Sequence, residues 1–106
     1  MNNTHQLVQL FLPYHQGTPL VDVLLAQENT PFFTVMEAFG YGQPEEKLNP
    51  AEQVEGAQRK MRFDIELRAD EVKPLLRHIR QALPTANIFY RIVPIIDHAP
   101  LSRAEL

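Results

Sequence analysis

The sequence predicts an α+β sandwich, with one four-stranded antiparallel sheet and two helices on one of its faces. Three observations lead there. Residues 60–68 (Lys60, Met61, Arg62, Phe63, Asp64, Ile65, Glu66, Leu67, Arg68) alternate charged and apolar side chains without a fault, which makes a strand with one face in a core. Val72, Leu75, Leu76, Ile79 and Leu83 recur at helical spacing and form one apolar stripe. The elements follow the order strand, helix, strand, long polar loop, strand, helix, strand, a βαββαβ pattern.

The first strand is Leu7 to Leu12, nearly all apolar and stopped by Pro13. A short continuous apolar run suits a strand covered on both sides, hence central in its sheet. Thr18 caps a helix over 19–28 in this reading, with Pro19 at the first helical position, where its missing N–H costs nothing. Residues 32–39 are rich in aromatic and β-branched side chains and read as the second strand, ending at Gly40-Tyr41-Gly42. The polar 42–58 stretch follows, with room for one or two helical turns capped by Asn49, with Pro50 first and Glu52 third. The alternating third strand leads into a second helix, with Asp70 as its expected cap and Pro84 as its stop. Residues 88–93 form the fourth strand, and Pro94 assigns it to an edge because proline cannot donate to a ladder. Residues 97–106 read as a loose tail.

With the elements in place, the pattern is ferredoxin-like, with sheet order 4-1-3-2. Two helices cover one face of such a sheet, so the other is wet or buried by a partner. The chain of 106 residues is read as a single domain, with a core over about 6–96, a long loop over 42–58 and a tail over 97–106. The net charge of −3 argues against a nucleic-acid partner, which usually meets a basic face. The absence of cysteine excludes disulfides, cysteine–zinc and iron–sulfur sites and a thiol nucleophile. No apolar stretch approaches the roughly 20 residues of a membrane span, so no direct membrane insertion is expected. The start has no basic segment before its apolar run, which predicts a cytoplasmic protein.

The segments Glu37-Ala38-Phe39-Gly40-Tyr41-Gly42-Gln43 and Pro50-Ala51-Glu52-Gln53-Val54-Glu55-Gly56, with the alternating strand after them, resemble an uncharacterised proteobacterial family of small PII-like (GlnB-like superfamily) proteins. The resemblance runs from about Leu7 to about Ile96. It implies a homotrimer whose loop between strands two and three carries signalling. Nucleotides bind at that loop's base between subunits in PII proteins. It also implies an accessory role beside heavy-metal efflux systems. PII proteins have a glycine-rich turn before the last strand, whereas residues 83–88 here contain no glycine. Glycine lets backbone N–H groups approach a polyphosphate, so tight ATP binding is not expected. Gln43 corresponds to the PII loop-base glutamine with a one-residue offset, and the modified tyrosine of the PII loop has no counterpart in 44–58.

The candidate ligand site is therefore the loop base: Gly40, Gly42 and Gln43, with Arg59 and Arg62 returning on the next strand. Arg62 also belongs to a mixed-charge strand face that a trimer would place between subunits. No metal site is assigned from spacing, because His5, His15, His78 and His98 form no HxH or HxxxH pair. His5 and His98 are the residues that neighbouring first and fourth strands would bring together. The motifs GxSxG, HExxH and GxxxxGK[ST] are all absent. No catalytic residue and no cofactor is assigned. The functional expectation is a non-enzymatic sensor or adaptor that meets a protein partner through 42–58. The alternative is direct binding of a metal ion or small anionic effector at a subunit cleft.

Overall fold

The computed structural model describes residues 4–42 and 44–106. Four strands, β1 (His5–Pro13), β2 (Phe33–Tyr41), β3 (Ala57–Arg68) and β4 (Phe89–Pro94), form one antiparallel sheet in the order β2-β3-β1-β4. This is the expected 4-1-3-2 order read from the other edge. Among the described residues there are also three helices, α1 (Gly17–Leu25), α2 (Pro50–Glu55) and α3 (Ala69–Ala82), with short 3-10 turns at Tyr14–Gln16, Glu45–Lys47 and Leu101–Arg103.

Register fixes which side chains share a face. Val8 pairs with Ile65 and Leu10 with Phe63. All four are fully buried, together with Leu12, Leu20 and Leu24. Val72, Leu75 and Ile79 of α3 close the same core, with Leu76 packed at its border. Each such side chain contributes about 1.5–3 kcal/mol through removal from water. Gly17 permits the close start of α1, because a Cβ there would stand 2.8 Å from Met61 Cγ on β3.

The opposite face carries no helix. Leu7, Gln9 and Phe11 of β1 lie there beside Arg62, Asp64 and Glu66 of β3 and Phe89, Arg91 and Val93 of β4. β1 is thus interior, as its apolar run suggested, but only one of its faces is covered within the chain.

Several boundaries differ from the sequence expectation. α1 spans 17–25 rather than 19–28, and Thr18 lies inside it without a capping hydrogen bond. α3 begins before Asp70, so Asp70 is not its cap. The Glu71 carboxylate accepts the Arg68 N–H at 3.1 Å, and Asp70 pairs with the Arg68 guanidinium at 2.7 Å. Carboxylates throughout a first turn favour the positive helix end, so composition alone does not single out one of them. β2 runs on to Tyr41 and β3 begins at Ala57, which shortens the connection to 42–56. The 97–106 tail is not loose, for it contains a 3-10 turn and His98 contacts Glu66 at 2.9 Å. An isolated contact of that kind leaves no periodic signal in a sequence.

A candidate anion groove beside the β2–β3 connection

The β2–β3 connection is built by local rules. Gly42 adopts φ +88°, a turn that a side chain would strain. The Lys47 N–H donates to Pro44 O at 2.9 Å and closes the 3-10 turn. Asn49 then caps α2, as expected. Its Oδ1 accepts the Glu52 N–H at 2.8 Å, and Glu52 Oε1 accepts the Asn49 N–H at 3.0 Å. Gly56 ends the helix in the left-handed region at φ +72°. The second Glu52 oxygen accepts the Arg59 N–H at 3.3 Å, which ties the small helix to β3.

The two arginines of the expected loop-base site do not converge. Arg59 lies on the helix-covered side of β3. Its guanidinium stacks over the Tyr14 ring at 3.9 Å and pairs with Glu37 at 3.1 Å. The hydrogen bond to Glu37 raises its pKa above the ordinary arginine value, against a smaller lowering by desolvation. Arg62 lies on the helix-free side and grips Asp64 through two bonds, at 3.0 and 2.8 Å. That hydrogen bond, with the Asp64 charge, also raises its pKa. Both cations are thus already matched by carboxylates. Gly40 sits at the β2 end, where a Cβ would touch the Lys60 side chain at 3.5 Å. Gln43 lies outside the described residues.

A different set of residues does converge. On the helix-free face, at the end nearest the connection, a groove of about 800 Å³ is lined by Phe11, Gly40, Lys47, Gln58, Lys60, Asn87, Phe89 and Arg91. Three cations and two aromatic rings line it, with no carboxylate, histidine or hydroxyl side chain among these residues. Arg91 sits 5.3 Å above the Phe11 ring, which holds its charge over the groove floor. Lys47 comes from the connection itself, while Lys60 and Arg91 come from the sheet.

Residues 2–102 match the family described as "Protein of unknown function (DUF3240)". The chain belongs to the DUF3240 family. No curated protein matches it. Among solved structures it is similar to a DUF3240 family protein from Shewanella baltica OS155. The TM-score is 0.73 and the identity 22%, over 95% of this chain and 99% of that one. It is also similar to Arabidopsis thaliana PII bound to citrate, with TM-score 0.65 and 16% identity, over 98% and 86% of the two chains. A third is CPII, a nitrogen regulatory PII-like protein from Thiomonas intermedia K12 bound to ADP, AMP and bicarbonate. Its TM-score is 0.63 and its identity 13%, over 92% and 96%. The DUF3240 chain therefore has the PII-like, ferredoxin-type fold that its sequence suggested.

Within this DUF3240 chain, sequence reasoning reached Gly40 but missed Lys47, Arg91, Phe11 and Phe89 as members of one groove. The missing signal was register. Phe11 faces Phe89 across β1 and β4, and Pro13 faces Lys60 across β1 and β3. The turn before β4 is held by side chains instead of glycine: Gln16 Oε1 accepts the Asn87 N–H at 3.0 Å. That bond occupies a backbone donor that a glycine-rich turn would leave for a phosphate. His78 is exposed on α3, and His15 is exposed in the turn before α1. His5 and His98 do meet, with ring centroids 4.3 Å apart. Among the described residues no helix is long and apolar enough to cross a membrane.

Proposed function

We propose that the chain is a non-enzymatic, PII-like sensor or adaptor that acts as a cytoplasmic homotrimer. It binds a small anion in the groove and presents the 42–56 connection to a protein partner. One observation carries this reading: Lys47 of the connection shares the groove with Lys60 and Arg91 of the sheet, and no carboxylate is among its described lining residues. Three clustered cations repel one another, and an anion among them removes that repulsion while making charge-assisted hydrogen bonds. Because one cation belongs to the connection, occupancy changes the conformational freedom of the segment a partner would read. Citrate in one PII neighbour and bicarbonate with AMP and ADP in another make small carboxylates and mononucleotides the ligands to try first. Its described lining residues include no hydroxyl, thiol, imidazole or carboxylate side chain to pair with the lysines, which favours binding over catalysis.

Calorimetry with citrate, bicarbonate and AMP tests the reading. Binding of one of these is expected, and Lys60→Ala should weaken it by about tenfold, the share of one hydrogen bond to a charged group. Failure of the wild-type chain to bind any of the three at millimolar concentration would remove the groove from the account. The finer context, accessory to a heavy-metal efflux system, is tested by partner capture with the connection intact and with it replaced by a short turn. Capture that ignores the replacement would move the adaptor surface elsewhere.

A further inference from the structure

The groove lies at one end of the sheet, and a second constellation lies at the other. β1 register sets His5 opposite Arg68 and Leu7 opposite Glu66 on the helix-free face. The Ile95 N–H donates to His5 O at 3.3 Å, so the chain leaving β4 runs beside His5. It brings the His98 ring to 4.3 Å from the His5 ring, tilted by 52°. The His98 side chain remains half exposed, so core packing does not account for the pair.

We propose that His5 and His98 together bind a divalent transition-metal ion of the Zn2+ or Cu2+ type, with Glu66 orienting His98. His98 Nδ1 lies 2.9 Å from Glu66 Oε1. A carboxylate only accepts, so in the neutral imidazole Nδ1 carries the proton and Nε2 keeps its lone pair. That arrangement, an imidazole with a carboxylate on its far nitrogen, is the usual support of a metal-bound histidine. His5 Nδ1 lies 3.2 Å from Thr4 Oγ1, a hydroxyl that can accept from Nδ1–H, and in that tautomer Nε2 is left for an ion. Metal–imidazole bonds are about 2.0–2.1 Å long, so both rings reach one ion after a small rotation that opens their spacing. The nearest cation along the register, Arg68, is paired with Asp70 at 2.7 Å. Among the described residues no group of three or more His, Cys, Asp or Glu side chains is placed to hold a metal. The chain therefore supplies two direct ligands, and water fills the ion's remaining positions. Imidazole pairs select borderline ions over Mg2+ and Ca2+. The site stands apart from the groove and does not rest on the anion reading.

The test uses the untagged full-length chain after treatment with a chelator. Zn2+ is titrated by calorimetry, and Cu2+ is followed by electron paramagnetic resonance. One ion per chain is expected, with coupling to two imidazole nitrogens in the Cu2+ spectrum. His5→Ala and His98→Ala should each weaken Zn2+ binding by more than tenfold, and Glu66→Gln by about tenfold, at the lower end for a supporting carboxylate. His78→Ala should leave it unchanged. The spectrum of the wild-type chain needs no variant to fold. Absence of Zn2+ and Cu2+ binding at micromolar to millimolar concentration would overturn the proposal. So would binding that survives both His5→Ala and His98→Ala, or a spectrum without two-nitrogen coupling.

Discussion

Ile79→Ala probes the packing that holds α3 against the sheet. Ile79 is 3% exposed and belongs to the core with Leu10, Phe63 and Leu75. The substitution removes carbon equivalent to three methylenes, which at about 0.8 kcal/mol each gives roughly 2.4 kcal/mol from transfer alone. β1 and β3 cannot follow the shortened side chain, since their ladders fix them on both sides of the site. A cavity remains and adds to the loss, so about 3 kcal/mol is expected, within the 2–5 typical of such changes. Arg77→Ala is the matched control. Arg77 is exposed on the same helix, and its loss should stay within about half a kcal/mol of neutral. The assay is urea unfolding of both variants and the parent at one fixed protein concentration, because assembly adds a concentration-dependent contribution. Equal destabilisation by the two substitutions would refute the assigned face of α3.

The chain should be a trimer by light scattering, because its helix-free face leaves Leu7, Phe11 and Val93 only partly buried; a monomer at micromolar concentration would contradict this. Replacing 44–56 by a short glycine-containing turn should leave the melting temperature nearly unchanged, since closure entropy varies slowly with loop length and Val54 of α2 is 89% exposed. Failure of that variant to fold would make the segment structural. ATP should bind no more tightly than millimolar, about −4 kcal/mol, because the 83–88 turn has no glycine and its Asn87 N–H is already bonded to Gln16. Micromolar ATP by calorimetry would show that the groove cations suffice without that turn.

Local patterns made most of the fold legible. The faultless alternation of 60–68 became β3, and the stripe from Val72 to Ile79 became the buried side of α3. Pro94 places β4 at an edge, and Asn49-Pro50 with Glu52 predicts the capped turn of α2 from local sequence alone. The site was far less legible. Arg59 and Arg62 are close in sequence, but their odd and even positions put them on opposite faces of β3. The groove joins residues from β1, β2, β3, β4 and the connection, and only strand register says that Phe11, Lys60 and Arg91 share a surface. Strand adjacency alone predicts that His5 and His98 are neighbours. Glu66, their third member, carried no mark distinguishing it from the other charges on β3.

In the proposed function the groove and the β2–β3 connection act as one unit. Amide hydrogen exchange over residues 44–56, measured with and without citrate at a concentration that calorimetry shows to be saturating, tests it most directly. Slower exchange in the connection is expected on binding, because Lys47 is drawn to the anion and the backbone around it loses local opening. No such slowing is expected in the Lys47→Ala variant. Citrate that binds while exchange over 44–56 stays unchanged would contradict the account, leaving a groove with no link to the segment proposed to carry its signal.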